Sequence, residues 1–383
     1  MNTQNTRIAV LGGGPSGLTL ARVLQQHDVS CTVYEREGSV VARPQGGTLD
    51  MKTDTGQAAL RTAGLLEKFL AISRPEGQDG RLLDKTGTVR LEHQADPDDL
   101  DQPEIDRGQL RTLLLDSLEP GTVRWHSDVR EITEDGAGYR IHLADGTSNR
   151  ADVVIGADGA WSKVRPLLSS AKPEYTGVTF VEIHIDDVDE RHPDLAVLVG
   201  NGSMHALSDN KGLIAQRNSG SHIRVYAALR VPEDWARTCG IDFADLATVR
   251  PALREYFAGW ARQLLALIDA SEKEFVPRAL YALPFPHTWP ARPGVTLLGD
   301  AAHLMSPFSG LGANLAMLDG AELGIELATA IKAGTSIDDA IARYEAVMQP
   351  RGAEAAEGAA HGIDIAIAPD APLGALKFLG QDA

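Results

Sequence analysis

The chain has few cysteines, few aromatic residues and no long hydrophobic run. Its two cysteines, Cys31 and Cys239, are too few for a disulfide framework or a zinc cage, and its histidines show no metal-ligand spacing. No apolar run reaches the about 18 residues that a membrane helix needs. The amino terminus has no secretory signal pattern. We therefore expect a cytoplasmic protein without a membrane segment or a metal site.

Positive charge is also scarce. Lys and Arg number 36 against 53 Asp and Glu, which gives a formal net charge of −17, and no Lys/Arg run stands out. This balance argues against nucleic acid or an anionic membrane as a partner. With 383 residues, 43 % of them hydrophobic, the chain is long enough for a large core and two domains. We expect a monomer that acts on a small molecule.

Residues 7–37, RIAVLGGGPSGLTLARVLQQHDVSCTVYERE, predict a strand, a glycine turn, a helix and a second strand. Gly12, Gly14 and Gly17 match G-x-G-x-x-G, in which the glycines permit a tight turn, the approach of a diphosphate and close helix packing. The helix N-terminus then holds the anion. Glu35 ends the second strand, where its carboxylate can accept hydrogen bonds from an adenosine ribose. The motif indicates a dinucleotide site, and alone it does not separate NAD from FAD.

At two later positions, an apolar strand again runs into a turn that contains glycine and aspartate. In RADVVIGADGAWSKVR, an apolar strand over 153–155 enters the turn Asp158-Gly159. In GVTLLGDAAHLMSPFSGLGAN, a strand enters Gly299-Asp300, and a long helix follows Gly312. Asp300 would offer an acceptor for sugar-like hydroxyls at the carboxyl end of a strand, where open α/β sheets bind ligands.

These three features, in this order, resemble the flavoprotein aromatic hydroxylases, the single-component FAD monooxygenases. RPQGGTLDM (43–51), PEIDRGQLRTLLLDSL (103–118) and GDAAHLMSPFSGLGAN (299–314) are most similar to the tetracycline-inactivating branch of that family. The resemblance implies an α/β fold with a Rossmann-like FAD-binding domain, a β-sheet substrate domain and a C-terminal helix. It also implies FAD as cofactor and NADPH or NADH as co-substrate.

Carried over by position, the resemblance implies one set of FAD or nicotinamide contacts: Gly12, Gly14, Ser16, Gly17, Glu35, Arg36, Arg43, Asp50, Arg107, Arg111, Asp158, Asp300, Pro307, Gly310, Gly312, Ala313 and Asn314. Arg107 and Arg111 lie four apart on a predicted helix, so a solvated helix face is the alternative for both. His303 is expected to pack near the flavin, and no catalytic residue is assigned. The chain has Leu311 where the family often has Gln.

Residues 174–285 differ from the rest because they contain β-rich segments separated by Gly, Asn and Asp turns, among them DLAVLVGNG (194–202). We expect them to form the substrate domain. The FAD-binding domain would then comprise 1–173 and 286–335, and a C-terminal helical segment 336–383. Pro350 is expected to kink or interrupt that helix.

The family likeness implies that NAD(P)H reduces FAD, that O2 adds to give a flavin hydroperoxide, and that one oxygen atom passes to a polycyclic aromatic or tetracycline-like substrate, with a role in antibiotic resistance. The alternatives are another flavin-dependent oxidoreductase or a halogenase of the same fold, or a non-catalytic flavin or antibiotic binder. The W-x-W-x-I-P pattern typical of halogenases does not occur.

Leu198 and Met204 occupy the positions where tetracycline-modifying relatives carry a Gln and an Arg. We therefore expect an apolar pocket that prefers less hydroxylated ligands, with polar recognition moved to His205, Gln216, Arg217 or Arg224. Solvated strand faces are the alternative for these four residues. The predicted substrate contacts are Leu198, Met204, Arg217, Arg224 and Pro307.

Overall fold

The computed structural model describes residues 6–40, 42, 46–96 and 98–378. Up to residue 156 the elements are β1 (Ile8–Leu11), α1 (Pro15–Gln26), β2 (Cys31–Tyr34), β3 (Thr48–Asp50), α2 (Gly56–Thr62), α3 (Leu66–Leu70), β4 (Gly80–Leu83), β5 (Val89–His93), β6 (Glu104–Asp106), α4 (Arg107–Asp116), β7 (Val123–Arg124), β8 (Val129–Asp135), β9 (Gly138–Leu143), β10 (Ser148–Ala151) and β11 (Val153–Gly156).

The remaining elements begin with β12 (Glu174–Ile185), α5 (Val188–Arg191), α6 (Pro193–Val199), β13 (Ser203–Ser208), β14 (Lys211–Asn218), β15 (His222–Arg230), α7 (Trp235–Thr238), α8 (Leu246–Tyr256), α9 (Arg262–Asp269) and β16 (Val276–Ala282). They end with β17 (Val295–Leu297), α10 (Asp300–His303), α11 (Gly312–Ala333), α12 (Ile337–Ala366) and α13 (Leu373–Phe378). Short 3₁₀ turns cover Pro75–Gln78, Arg165–Leu167 and Pro307–Ser309.

A parallel sheet of five strands, in the order β17-β11-β1-β2-β7, carries the three motif junctions. All four residues of β1 are buried, as expected for a central parallel strand covered on both faces. The strands predicted over 7–11, over 153–155 and before Gly299 are confirmed, and β1, β11 and β17 are neighbours. The carboxyl ends of these strands, and the turns that follow them, therefore meet at one edge of the sheet. The predicted α/β class is confirmed.

The second sheet has seven strands in the order β16-β12-β15-β14-β13-β4-β5. Its β12 to β16 are the β-rich segments expected for a substrate domain. Residues 80–93 also belong to this sheet, although they precede the predicted boundary at residue 174. Strand β4 pairs in parallel with β13, and β5 pairs with β4.

The segment DLAVLVGNG is not a strand, although its apolar residues suggested one. Residues Pro193–Val199 form α6, with Pro193 at the start and Asp194 in the first turn, two features that favour a helix N-terminus. Leu195 and Val199 are one helical turn apart and bury the same face of α6 against the second sheet. A short apolar run does not by itself distinguish a strand from a helix.

Helix α12, within the predicted C-terminal segment, packs against both sheets, and its Ile341 and Tyr344 lie in the apolar cluster of the parallel sheet. It runs from Ile337 to Ala366 as one helix that includes Pro350, so the expected interruption is absent. Its last turns place Ile363 in an apolar cluster with Phe180 of the second sheet. Within the described ranges, no helix combines the length and the apolar character needed to cross a bilayer.

Candidate FAD and substrate site

The glycine turn after β1 is shaped by backbone contacts. Gly12 has φ +112°, and a Cβ there would lie 2.2 Å from the carbonyl oxygen of Ala157, in the turn after β11. A Cβ on Gly17 would lie 2.2 Å from the carbonyl oxygen of Gly12. A Cβ on Gly14 would have no described atom within 4 Å. Gly12 and Gly17 thus hold the turn against the strands, while Gly14 faces open space.

The N-terminus of α1 is ready to bind an anion. Gly14 is the N-cap, Pro15 and Ser16 follow, and no side chain caps the helix. The uncapped amides and the helix dipole favour a phosphate group at this position. The space beside Gly14 leaves room for that group.

Glu35 lies directly after β2 and encloses the turn. Its carboxylate accepts hydrogen bonds from the backbone N–H of Gly13 (2.8 Å) and of Glu37 (2.8 Å). Its side chain is only 12 % exposed, and Arg111 Nη2 lies 3.8 Å from Oε2. The neighbouring Arg36 is exposed. Glu35 therefore supports the turn as well as offering acceptor capacity to a ribose.

Arg111 does not lie on a solvated helix face. Its guanidinium is buried, donates to Glu37 Oε2 (2.7 Å) and stands 5.7 Å from the ring centroid of Trp125. Its Nε is buried with no hydrogen-bond partner among the described residues. Arg107, at the start of α4, is exposed. Of the two arginines, only Arg111 thus has a buried N–H, at Nε, that could donate to a ligand.

The Asp158 turn and the Asp300 turn are tied together by Arg165. This buried arginine donates from Nε to the carbonyl of Ala301 (2.8 Å) and from Nη2 to that of Asp300 (3.1 Å). Asp158 accepts from the N–H of Lys163 (2.7 Å), while its Oδ1 is buried without a partner among the described residues. Burial raises the pKa of Asp158. Sequence reasoning did not select Arg165 as a site residue, although it lies within the Asp158 motif.

Asp300 begins α10, and its side chain is exposed at the sheet edge. Asp319 of α11 holds this loop in place: it accepts a hydrogen bond from the N–H of Gly299 (3.0 Å) and contacts His303 Nε2 (2.6 Å). Burial lowers the pKa of His303, but the adjacent Asp319 outweighs this and raises it. His303 is buried in this contact and therefore serves the loop rather than the open side of the site.

The start of α11 lies beside the strand β3. The N-cap residue, Leu311, makes no side-chain capping bond, so the N-terminal amides of a 22-residue helix remain uncapped. Asn314 is buried and joins this helix to β3: it accepts from the N–H of Lys52 (2.9 Å) and donates to the carbonyl of Asp50 (2.7 Å). Its side chain is thus committed to protein contacts. A ligand could use only its backbone.

The second sheet turns one face toward these motifs. A Cβ on Gly47, which precedes β3, would lie 2.7 Å from Gln216 Oε1 and 2.8 Å from the hydroxyl oxygen of Tyr226. Phe308 of the Asp300 loop contacts Phe180 of β12, with ring centroids 6.0 Å apart. We call this side of the sheet, which carries Phe180, Glu182, Gln216, Arg224 and Tyr226, the pocket face.

These residues fit FAD. An open approach at Gly14, two uncapped helix N-termini and a buried arginine with an unpartnered Nε suit a molecule with a diphosphate, a ribose and a flat ring. A comparison with known families agrees, since the family described as FAD binding domain matches residues 5–236 and 291–359. The chain belongs to this family.

Relatives of this flavoprotein are monooxygenases. Monooxygenase penA of Penicillium thymicola is 31 % identical over 409 residues, covering 92 % of this chain and 93 % of its own. The protein is an FAD-dependent monooxygenase of the aromatic hydroxylase type and hence an oxidoreductase.

Two solved structures share the fold. Klebsiella pneumoniae HpxO, in complex with FAD and uric acid, superimposes with a TM-score of 0.80 at 22 % identity, covering 98 % of this chain and 93 % of that one. The tetracycline destructase Tet(51) superimposes with a TM-score of 0.69 at 21 % identity, covering 95 % and 91 %. The family likeness inferred from the motifs is confirmed.

Three of the predicted substrate residues of this flavoprotein do not face the cofactor motifs. Met204 is fully buried between the second sheet and helices α5 to α9, in one apolar cluster against which Leu198 packs. Arg217 emerges on the same side, where it contacts Asp189. The interpretation of Leu198 and Met204 as pocket residues is therefore wrong, and so is the apolar pocket inferred from them.

The pocket face carries polar and aromatic side chains, beside aliphatic residues such as Ile214. Arg224, His205 and Gln216 lie on it, since strand register places Arg224 opposite Gln216 and His205 opposite Ile214. Pro307 is exposed at the Asp300 loop, and Gly310 lies beside Asp50. Gly312 and Ala313 open α11. Arg43 falls outside the described residues.

Replacing Asp300 with Ala is expected to weaken FAD binding about ten- to a hundredfold, because the ribityl hydroxyls lose a charged acceptor. Fluorescence titration of apoprotein with FAD measures the change. The Glu35 side chain is only 12 % exposed and also supports the glycine turn, so we expect Glu35→Ala to match or exceed this loss. Unchanged FAD affinity in the Asp300 variant would contradict the role of that residue.

Proposed function

We propose that this flavoprotein uses NADPH or NADH and O2 to hydroxylate a polycyclic aromatic or tetracycline-like small molecule. The supporting observation is the aromatic part of the pocket face. Phe180 lies 5.2 Å from Tyr226 and 6.0 Å from Phe308, centroid to centroid. Phe308 belongs to the loop that carries Asp300. A flat, conjugated substrate bound against these rings would lie next to the cofactor motifs.

When bound, FAD supplies hydride acceptance from NAD(P)H and, once reduced, the activation of O2 for transfer of one oxygen atom. The chain contributes binding, orientation and charge. The uncapped N-terminus of α11 places a partial positive charge at the Asp300 loop, which favours negative charge on the reduced ring. Gly47 lets the chain before β3 pack against Gln216 and Tyr226 of the pocket face, since a side chain there would collide with both.

No protein nucleophile is required by this proposal, and neither cysteine is assigned to one. Burial raises the pKa of Cys31 to about 12, so its thiol is protonated at neutral pH. Cys239 lies near the helices on the far side of the second sheet.

Purified protein is expected to be yellow and to hold one non-covalent FAD per chain, because three cofactor motifs meet at one sheet edge. NAD(P)H oxidation should accelerate when a polycyclic phenol or a tetracycline is added. Mass spectrometry should then find a product with one additional oxygen atom. Chloride- or bromide-dependent halogenation would point to the halogenase alternative. Ligand binding without NAD(P)H oxidation would point to a non-catalytic binder.

A further inference from the structure

A buried carboxylate holds two arginines on the pocket face. Glu182, in the middle of β12, is only 3 % exposed. Its Oε1 accepts from Nη1 of Arg224, and its Oε2 accepts from Nε of Arg278. Burying a carboxylate is costly unless it is paired and hydrogen-bonded. Both of its oxygens are engaged, and Glu182 restrains the Arg224 guanidinium through Nη1.

Arg224 still has an unused donor. It is 7 % exposed, and its Nε is buried with no hydrogen-bond partner among the described residues. An unpartnered buried N–H of a charged group is rarely retained without a ligand or water to satisfy it. The donor lies on the side of the sheet that meets the cofactor motifs.

Gly46 brings a second arginine to the same place. It has φ +106°, and a Cβ there would lie 3.0 Å from Cδ of Arg107 and 3.9 Å from Nη1 of Arg224. Arg107 projects from the start of α4, which belongs to the FAD-binding part of the chain. Two arginine side chains, one from helix α4 and one from the second sheet, therefore approach one glycine.

The charges around this glycine do not cancel. Arg224 and Arg278 share one carboxylate, Glu182, and the side chain of Arg107 approaches the same glycine. The nearby Asp186 is paired with Lys273 and Asp50 with Lys52, while Asp106 and Glu104 share Arg74. Burial raises the pKa of Glu104 to about 8, so Glu104 is mostly uncharged at neutral pH.

The histidines beside this cluster do not change the balance at neutral pH. Burial, and then the charge of Arg224, lower the pKa of His184 to about 4. The pKa of His222 is also lowered, mainly by burial. Among the described residues, the pocket face thus has a local excess of positive charge, although the chain carries a net charge of −17.

We infer that the substrate carries an anionic group, a carboxylate or an ionised enol or phenol, which Arg224 and Arg107 bind together, and that Glu182 is the positioning residue for Arg224. This inference rests on the proposed function and narrows its substrate class. A planar guanidinium held in one orientation can bind such a group through two parallel hydrogen bonds. The aromatic rings of Phe180 and Tyr226 would then support the conjugated body of the same molecule.

The first test is equilibrium binding to the FAD-loaded protein, measured by isothermal titration calorimetry without NAD(P)H. The probes are hydroxylated benzoate, naphthoate and anthracene carboxylate, each compared with its neutral carboxamide. We expect at least one acid to bind about tenfold or more tightly than its amide, which is the size of one charge-assisted contact. Equal or tighter binding of the amide in every pair would overturn the inference.

Three arginine variants localise this preference. Arg224→Gln should bring the affinities for the acid and its amide to within about twofold of each other. Arg107→Gln, at an exposed position, should reduce the preference for the acid without lowering the melting temperature. Arg217→Gln removes the same charge on the opposite side of the same sheet and should leave it unchanged. An equal loss in the Arg217 and Arg224 variants would show that general charge, and not this pair, sets the preference, and would overturn the inference.

Glu182→Gln tests the positioning role. We expect the acid probe to bind within about threefold of wild type, while the fraction of NAD(P)H electrons released as hydrogen peroxide rises severalfold, because the substrate is held but misaligned. A purely structural role would lower FAD content and melting temperature and leave that fraction unchanged. Selective acid binding without any NAD(P)H oxidation would overturn the proposed function and leave this inference standing.

Discussion

Gly17→Ala is expected to destabilise the apoprotein by about 3 kcal/mol, whereas Gly14→Ala should change its stability by no more than about 1 kcal/mol. The two glycines belong to one turn, but a methyl group at position 17 would lie 2.2 Å from a backbone oxygen, and one at position 14 would meet nothing within 4 Å. Gly14→Ala should instead lower FAD affinity by about tenfold or more, because the methyl group occupies the space through which a diphosphate reaches the amides of α1.

Urea unfolding of the apoproteins, followed by FAD titration of those that fold, separates the two effects. Each variant serves as the control for the other, since both add one methyl group within the same motif. Full FAD affinity in the Gly14 variant would mean that the diphosphate does not bind at α1. Wild-type stability in the Gly17 variant would mean that the turn and helix are not packed as described.

Asp319→Asn should cost about 3–5 kcal/mol of folding free energy, because it removes one member of a buried charged network. Asp319 is fully buried, contacts His303 Nε2 and accepts from Nη2 of Arg351 (3.0 Å). The substitution keeps the side-chain size and leaves the other two groups without their shared carboxylate. Asp364→Asn is the matched control on α12, since the ion pair of Asp364 with Arg230 is exposed and should contribute less than about 1 kcal/mol.

The difference between wild type and Asp319→Asn should also depend on pH. Burial alone would raise the pKa of Asp319, but His303 holds it below its ordinary value of 3.8, so this contribution is present above pH 3.8 and disappears as the pH falls through the lowered pKa. The pKa of His303 lies above its ordinary value of 6.5, so that contribution is full below pH 6.5 and disappears as the pH rises through the raised pKa. Unfolding measurements should therefore find the largest difference between about pH 4 and 6.5. A difference that grows steadily toward pH 9 would contradict this coupling.

The motifs of the parallel sheet could be predicted because each is a local pattern with its own physical reason. Gly12 and Gly17 lie where a side chain would collide with backbone, and the apolar runs of β1, β11 and β17 are short and continuous. Their adjacency follows from the parallel sheet that such runs favour. The three turns, and with them the candidate FAD-binding residues at the sheet edge, could therefore be predicted from the sequence.

The pocket face was not accessible in the same way. In β13, the residues at 204, 206, 207 and 208 are all buried, so burial does not reveal which side meets the cofactor. Only the pairing of Met204 with Ala215, and the helices packed beyond them, assigns Met204 to the far side. One signal is present in the sequence, because Glu182 is an acid within the apolar run FVEIHI, a pattern typical of a buried and paired carboxylate.

The pairing of β4 with β13 sets a rule for recombining this protein with its relatives. Exchanging residues 174–285 alone would place a foreign β13 beside the native β4, across a parallel register that runs from Ser203 and Gly80 to Ala206 and Leu83. If the foreign β13 did not fit beside the native β4, backbone N–H and C=O groups along that pairing would lose their hydrogen-bond partners. A functional hybrid therefore has to exchange two separate stretches together, residues 80–93 and 174–285. The second sheet of this chain is accordingly encoded in two separate pieces, and the first of them lies between β3 and β6 in the sequence.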